Sequence, residues 1–265
     1  MANEGFTFFQ DIKKIIRPLN KDGNIQGITE YYGSNVFNEK AMAEKLSSAD
    51  VEKISSIVKN GGKIDQALAS RIAEAVRIWA IEKGATHYCH WFQPQTGSTA
   101  EKHDAFLWFD KNGLPIERFT GPELLQSEPD ASSFPSGGMR STFEARGYTG
   151  WDPASPMFIL EKDNGKTLYI PSVFISYHGE SLDFKTPLLR SLEVLSKHAT
   201  RTLHLLGQTN VTNITNTIGA EQEFFVVHKS LALSRLDLKL SGRSVFGKRP
   251  AKGQELEDHY FGNRL

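Results

Sequence analysis

The sequence predicts an α+β fold, and three observations carry that prediction. A helical period runs from Asn38 to Lys83, an extended pattern broken by a tight turn runs from Asp104 to Phe119, and a strand, helix, strand succession fills Thr167 to Val227.

In chain order, residues 1–35 are mixed and punctuated by Gly and Asn, with the short amphipathic stretch Phe9 to Ile16 as their one helical signal. Leu68, Ile72, Ala75, Val76 and Trp79 then recur at steps of three and four behind Asp65, an N-cap residue type, and Gly84 stops the helix. Asp104 to Asp110 alternates, Lys111-Asn112-Gly113 turns, and Leu114 to Phe119 is extended again, which predicts a hairpin. Residues 128–156 are rich in Pro, Gly, Ser and Asp without a period, and the domain junction is placed near their end. After the β-rich segment Thr167 to Tyr177 comes the clearest helix. Thr186 is its expected cap, Pro187 lies in its first turn, Leu188, Leu192, Leu195, Ala199, Thr202, Leu203 and Leu206 form one face, and Gly207 ends it.

At 265 residues, with 39% hydrophobic and 23% charged residues, the chain can bury a proper core, and two units are expected. Lys plus Arg and Asp plus Glu each number 31, so no bulk basic field favours nucleic acid. No apolar run approaches the roughly 18 residues of a membrane span, and Met1 to Lys14 lacks the apolar centre of a secretory signal. The single cysteine, Cys89, rules out an internal disulfide and fits a reducing compartment, so a cytoplasmic location is expected.

The strongest chemical signal is Gly219-Ala-Glu-Gln-Glu-Phe-Phe-Val-Val227. In an extended chain Glu221 and Glu223 point to one face, while the apolar continuation marks a mostly buried sheet. Two carboxylates held about 6 to 7 Å apart repel, and a hard, oxygen-seeking cation such as Mg2+ or Mn2+ relieves that repulsion. A solvated polar face on an edge strand fits the same spacing.

Three other groupings carry less. His87, Cys89, His90, His103 and Asp104 are zinc-ligand types. Yet His-x-x-His in an extended segment splits its rings between faces, and no second pair stands at finger spacing, so structural or hydrogen-bonded histidines are expected. Glu128-Pro-Asp-Ala-Ser-Ser-Phe-Pro-Ser-Gly-Gly138 suits either a small polar site or a plain surface turn. Lys248 to Gly253 is basic but lacks the strand-loop-helix setting of a phosphate loop.

Eight segments stand in order: Lys83-Gly-Ala-Thr-His-Tyr88, His90-Trp-Phe-Gln-Pro94, Thr99-Ala-Glu-Lys-His-Asp104, the Glu128 to Gly138 loop, Phe143-Glu-Ala-Arg-Gly-Tyr148, Gly219-Ala-Glu-Gln-Glu223, Gly242-Arg-Ser-Val-Phe-Gly247 and Gly253-Gln-Glu-Leu-Glu-Asp-His-Tyr-Phe-Gly262. Carrying these, the chain from Tyr32 onward resembles the amino-terminal part of a type III, long-subunit glutamine synthetase.

The resemblance implies an ATP-dependent glutamate–ammonia ligase working through γ-glutamyl phosphate. Its partners would be glutamate, ammonia and ATP, its assembly a homo-oligomeric ring, and its metal Mg2+ or Mn2+, held by Glu221 and Glu223. It further implies a helical N-terminal extension over 1–84, a β-grasp-like domain over 85–160, and over 161–265 the first part of a catalytic domain whose sheet is incomplete. Asp130, with Glu128 as second choice, would be the acid that helps bind ammonium at a neighbouring subunit's site. The chain stops at Leu265, shortly after Leu256-Glu-Asp-His-Tyr-Phe261, and Leu236 stands where the family pattern has proline. A partial enzyme is therefore expected, inactive and poorly soluble by itself because an open sheet exposes edges. Two other readings stay open: a non-catalytic partner that enters synthetase rings, and another carboxylate–amine ligase, which the motifs around His90 and His103 oppose.

Overall fold

The first four helices, α1 (Ile28–Tyr31), α2 (Glu39–Lys45), α3 (Ser48–Asn60) and α4 (Gln66–Glu82), begin where local chemistry says they should. Asn38 Oδ1 accepts from the Ala41 amide, Ser47 Oγ from that of Asp50, and Asp65 Oδ1 from that of Leu68 at 2.8 Å. Each cap satisfies an amide that has no partner within its helix. Behind the Asp65 cap, Leu68, Ile72, Ala75, Val76 and Trp79 are all buried, and Gly84 at φ +88° closes the segment. This computed structural model describes residues 18–20, 22–95, 99–130, 133, 146–162, 165–219 and 228–241. The Phe9 to Ile16 stretch, Glu221, Glu223 and the basic loop from Lys248 lie outside the described residues.

The remaining elements are β1 (Ala85–Phe92), β2 (Ala100–Ala105), β3 (Leu107–Phe109), β4 (Pro115–Glu117), α5 (Gly121–Leu125), β5 (Gln126–Ser127), β6 (Tyr148–Trp151), β7 (Phe158–Lys162), β8 (Gly165–Ile175), α6 (Lys185–Leu205), α7 (Lys229–Ser234) and α8 (Leu236–Ser241). The architecture is mixed α+β. One sheet runs β2-β1-β8-β6-β5, with β7 also on β8; β1 and β8 are parallel and the other pairs antiparallel.

Alternation along β1 gives this sheet two different faces. Tyr88, His90 and Phe92 share one of them, where Tyr88 meets Phe106 and Phe119 and joins a core formed with Leu68, Ile72, Val76 and Trp79 of α4 and with Leu168 and Ile170 of β8. α5 sits so close to α4 that a Cβ on Gly121 would lie 2.8 Å from the Ser70 amide nitrogen, a distance no larger residue tolerates without backbone movement. Cys89 and Trp91 share the opposite face.

Two local expectations are corrected. The alternation read over Asp104 to Asp110 belongs to two strands. β2 pairs with β1, the chain bends at buried Phe106, and only β3 forms the hairpin with β4 around Gly113. Phe106 makes the corner with its backbone, donating to Thr86 O and accepting from the Arg118 amide. At α6 the N-cap position is Phe184, and the carboxylate that serves the first turn is that of Asp183 just before it, not the Thr186 hydroxyl: fully buried Asp183 accepts from the Thr186 amide through Oδ1 and from the Phe174 amide through Oδ2, each at 3.0 Å. Thr186 lies inside the first turn, while Gly207 at φ +91° ends the helix as expected. The apolar face of α6 is largely open among the described residues, with Leu188, Val194, Leu195 and Leu206 exposed.

The expected border at 160/161 falls inside β7, and β8 beyond it pairs with β1. By compactness the chain divides into Met1–Thr215 and Asn216–Leu265. In the second unit, Arg235 pairs with Asp237 through both guanidinium and carboxylate edges. Leu236 opens α8, a first-turn position that proline also tolerates, so the local departure from the family pattern costs the backbone little. No described helix is long and apolar enough to cross a membrane.

Candidate functional site

The polar loop that starts at Glu128 is aimed by a buried network centred on His90. β5 is only two residues long, and two residues of ladder hold little by themselves. Thr149 on β6 reinforces it: its Oγ1 accepts from the Ser127 amide at 3.1 Å and lies 3.2 Å from the Ser127 carbonyl oxygen. That same Oγ1 is 3.1 Å from His90 Nδ1, and Ser172 Oγ on β8 is 3.2 Å from it.

His90 Nε2 lies 2.8 Å from the Glu123 carbonyl oxygen. A carbonyl only accepts, so the geometry assigns the proton to Nε2 and leaves Nδ1 to accept from the Thr149 or Ser172 hydroxyl. His90 is fully buried, and burial pushes its pKa down to about 4, winning over the Glu123 carbonyl bond that favours the charged ring. The neutral ring therefore ties β1, β6, β8 and the end of α5 to the root of the loop.

Beyond this root, the Tyr177 hydroxyl donates to Glu128 Oε1, and the Tyr177 ring meets that of Tyr148 edge-on at 5.0 Å. Hydrogen bonding to the Glu128 carboxylate, then burial, pushes the Tyr177 phenol up from its ordinary range. Pro129 is buried, Asp130 is solvent-facing, and the Asp130 carbonyl accepts from the Ser133 amide at 3.1 Å. The arrangement presents two carboxylates, one held by a phenol, on a loop fixed at its base.

Glu128 and Asp130 are both exposed on the described start of the loop, whereas Glu221 and Glu223 belong to the undescribed residues 220–227. His87 and His90 do not converge: Thr86 Oγ1 lies 2.8 Å from His87 Nδ1, and His90 makes the buried contacts above. The sequence reading missed Thr149, Ser172 and Tyr177 as supports of the loop. Periodicity gave no signal for them, although a histidine inside the buried strand pattern of β1 did call for hydrogen-bonding partners from elsewhere.

Residues 28–191, which span α5, the loop and β6 to β8, match a family model described as "Glutamine synthetase type III N terminal". The chain belongs to this family. Type III relatedness extends past the matched segment. A "Type-3 glutamine synthetase" of Dictyostelium discoideum is 48% identical over 236 residues, covering 89% of this chain and 32% of its own length. A "Glutamine synthetase" of Bacteroides fragilis (strain YCH46) is 47% identical over 250 residues, 94% of this chain and 33% of its own length. One of Butyrivibrio fibrisolvens is 35% identical over 245 residues. The chain spans about a third of the length of the curated relatives it matches. The matched type III segment contains Glu128 and Asp130 and ends before Glu221 and Glu223.

Proposed function

We propose that this chain is the amino-terminal portion of a glutamate–ammonia ligase that makes glutamine in the cytoplasm, within a homo-oligomeric ring. The observation that carries the reading is the 47% identity to a protein named glutamine synthetase over 94% of the chain. In the reaction, the glutamate γ-carboxylate takes the terminal phosphoryl group of ATP, releasing ADP; ammonia then attacks the acyl phosphate, forming the amide bond and expelling phosphate.

Glu221 and Glu223 supply carboxylate oxygens only, a donor set that suits Mg2+ or Mn2+ and not a soft ion. Such ions, when bound, spread the negative charge of phosphate and carboxylate oxygens that would otherwise keep the reactants apart. One glutamate would serve the nucleotide side and the other the glutamate side. The mixed sheet with α4 across one face supports reading this region as the family's β-grasp-like domain, with α1 to α4 as its helical extension.

Asp130 would help bind ammonium at the neighbouring subunit's site. Its solvent-facing position on an anchored loop supports this, and Glu128, engaged by Tyr177, is the alternative acid. Asp130→Asn is expected to raise the KM for ammonium by about tenfold, the loss of one charge-assisted hydrogen bond, while the KM for ATP stays unchanged. Steady-state kinetics with each substrate varied in turn would check this.

The function itself is tested by assaying the polypeptide that carries this chain for phosphate release from ATP. The expected result is release that requires glutamate, ammonium and Mg2+ or Mn2+, matched by an equal amount of glutamine. Release indifferent to glutamate, or none at all, would defeat the reading.

A further inference from the structure

The sheet brings together three metal-ligand side chains that are scattered in sequence. In the antiparallel pairing of β1 with β2, Cys89 lies directly opposite His103, and Glu101, two residues before His103, shares its face. One donor atom from each of Cys89, Glu101 and His103 lies within 4.8 Å of the others. We propose that these three residues form a binding site for a zinc-class divalent ion, with a solvent molecule as fourth ligand.

A thiolate, an imidazole and a carboxylate form a borderline-soft set that suits Zn2+ and its stand-in Co2+, and the sulfur disfavours Mg2+ or Mn2+. In a tetrahedral zinc site the ligand atoms stand about 3.5 Å apart, given bonds of about 2.0 to 2.3 Å. Small rotations therefore suffice here. His103 Nε2 and Glu101 Oε2 are 2.5 Å apart and need only open around the ion, and their side chains, 47% and 23% exposed, are able to turn.

Cys89 is fully buried, and burial pushes its thiol well above the ordinary range. A thiolate there needs a cation beside it, which the ion would provide. A supporting shell is already in place. The Tyr169 hydroxyl donates to Glu101 Oε1 at 3.1 Å, Lys162 Nζ donates to that hydroxyl at 3.2 Å, and Tyr169, the β8 register partner of Cys89, stacks on Phe158 with Trp91 edge-on to both rings. The half-exposed His103 leaves an entry path from solvent.

This site is on the face of β1 opposite His90, and it stands independently of the ligase reading, whose two glutamates contain no sulfur. The competing arrangement is a simple His103–Glu101 ion pair above an inert thiol. The two are separated by titrating the metal-free full chain with Co2+. The expected result is the thiolate-to-cobalt charge-transfer band and tetrahedral d–d bands, saturating near one ion per chain and displaced by Zn2+. Zn2+ affinity, read by competition with a chromophoric chelator, should fall at least about tenfold in His103→Ala and in Glu101→Gln. Both residues are partly exposed, so these variants keep the fold where Cys89→Ser could lose it. Absence of the thiolate band in the wild-type chain overturns the proposal, and so does a band whose affinity neither His103→Ala nor Glu101→Gln weakens.

Discussion

Replacing Glu221 or Glu223 by glutamine is expected to lower metal-dependent glutamine formation by at least about 100-fold, since disturbing even outer partners of a metal site costs about 10- to 100-fold and a direct ligand should cost more. The substitution keeps volume and extended propensity but removes the negative charge, so it separates ligation from packing. If the two acids hold separate ions, the effects should differ in kind. One variant should need more Mg2+ or Mn2+ to saturate with ATP, and the other should show its defect in the KM for glutamate. Raised metal concentration should recover part of the activity in each case. If instead both variants turn over within a few-fold of wild type, the two acids are solvated and the metal must be held elsewhere.

Folding stability is expected to decline by roughly 3 kcal/mol as pH falls from about 6.5 to about 4, through His90 alone. In the unfolded chain a histidine titrates near its ordinary value of about 6.5. In the fold, burial pushes His90 down to about 4. Between those values the unfolded chain takes up a proton that the folded chain refuses, so protons favour unfolding. The contribution is complete above the unfolded pKa and disappears as pH drops through the window. Asp50 and Asp65, held below their ordinary range chiefly by hydrogen bonds from Arg71 and Lys53, respectively, also withdraw stability in acid. The decisive measurement is therefore a difference: denaturation midpoints of wild type and of His90→Gln at pH 7, 5.5 and 4.5. A much flatter pH dependence in the variant is expected. Parallel curves would show that His90 titrates normally and that the network around Thr149 and Ser172 does not hold the ring neutral.

What could be read from the sequence follows a physical division. The Asp65 cap, the buried stripe of α4 and the Gly84 and Gly207 stops were legible because each depends on residues within about four positions along the chain. Where the partner comes from farther away, the pattern misled. Thr186 has a cap residue's chemistry, but the Asp183 carboxylate serves the first turn, and it is held in place by a second bond from the Phe174 amide of β8, nine residues away. Alternation from Asp104 to Asp110 showed extended chain without showing that β1 claims its beginning and β4 its end.

The candidate residues divide in the same way. Glu221 and Glu223 could be nominated because a two-residue spacing would put both acids on one face of an extended chain, and the family was recognisable because long segments match in order. By itself, then, the sequence determined the α+β class and the family, and it nominated the paired acids. Only the tertiary structure decided that His90 would sit neutral against Ser172, 82 residues away, and that Cys89 would face His103 and Glu101. Strand register and burial set those meetings, and both are properties of the whole packed chain: a one-residue slip of β2 against β1 would send Glu101 and His103 to the other face of the sheet.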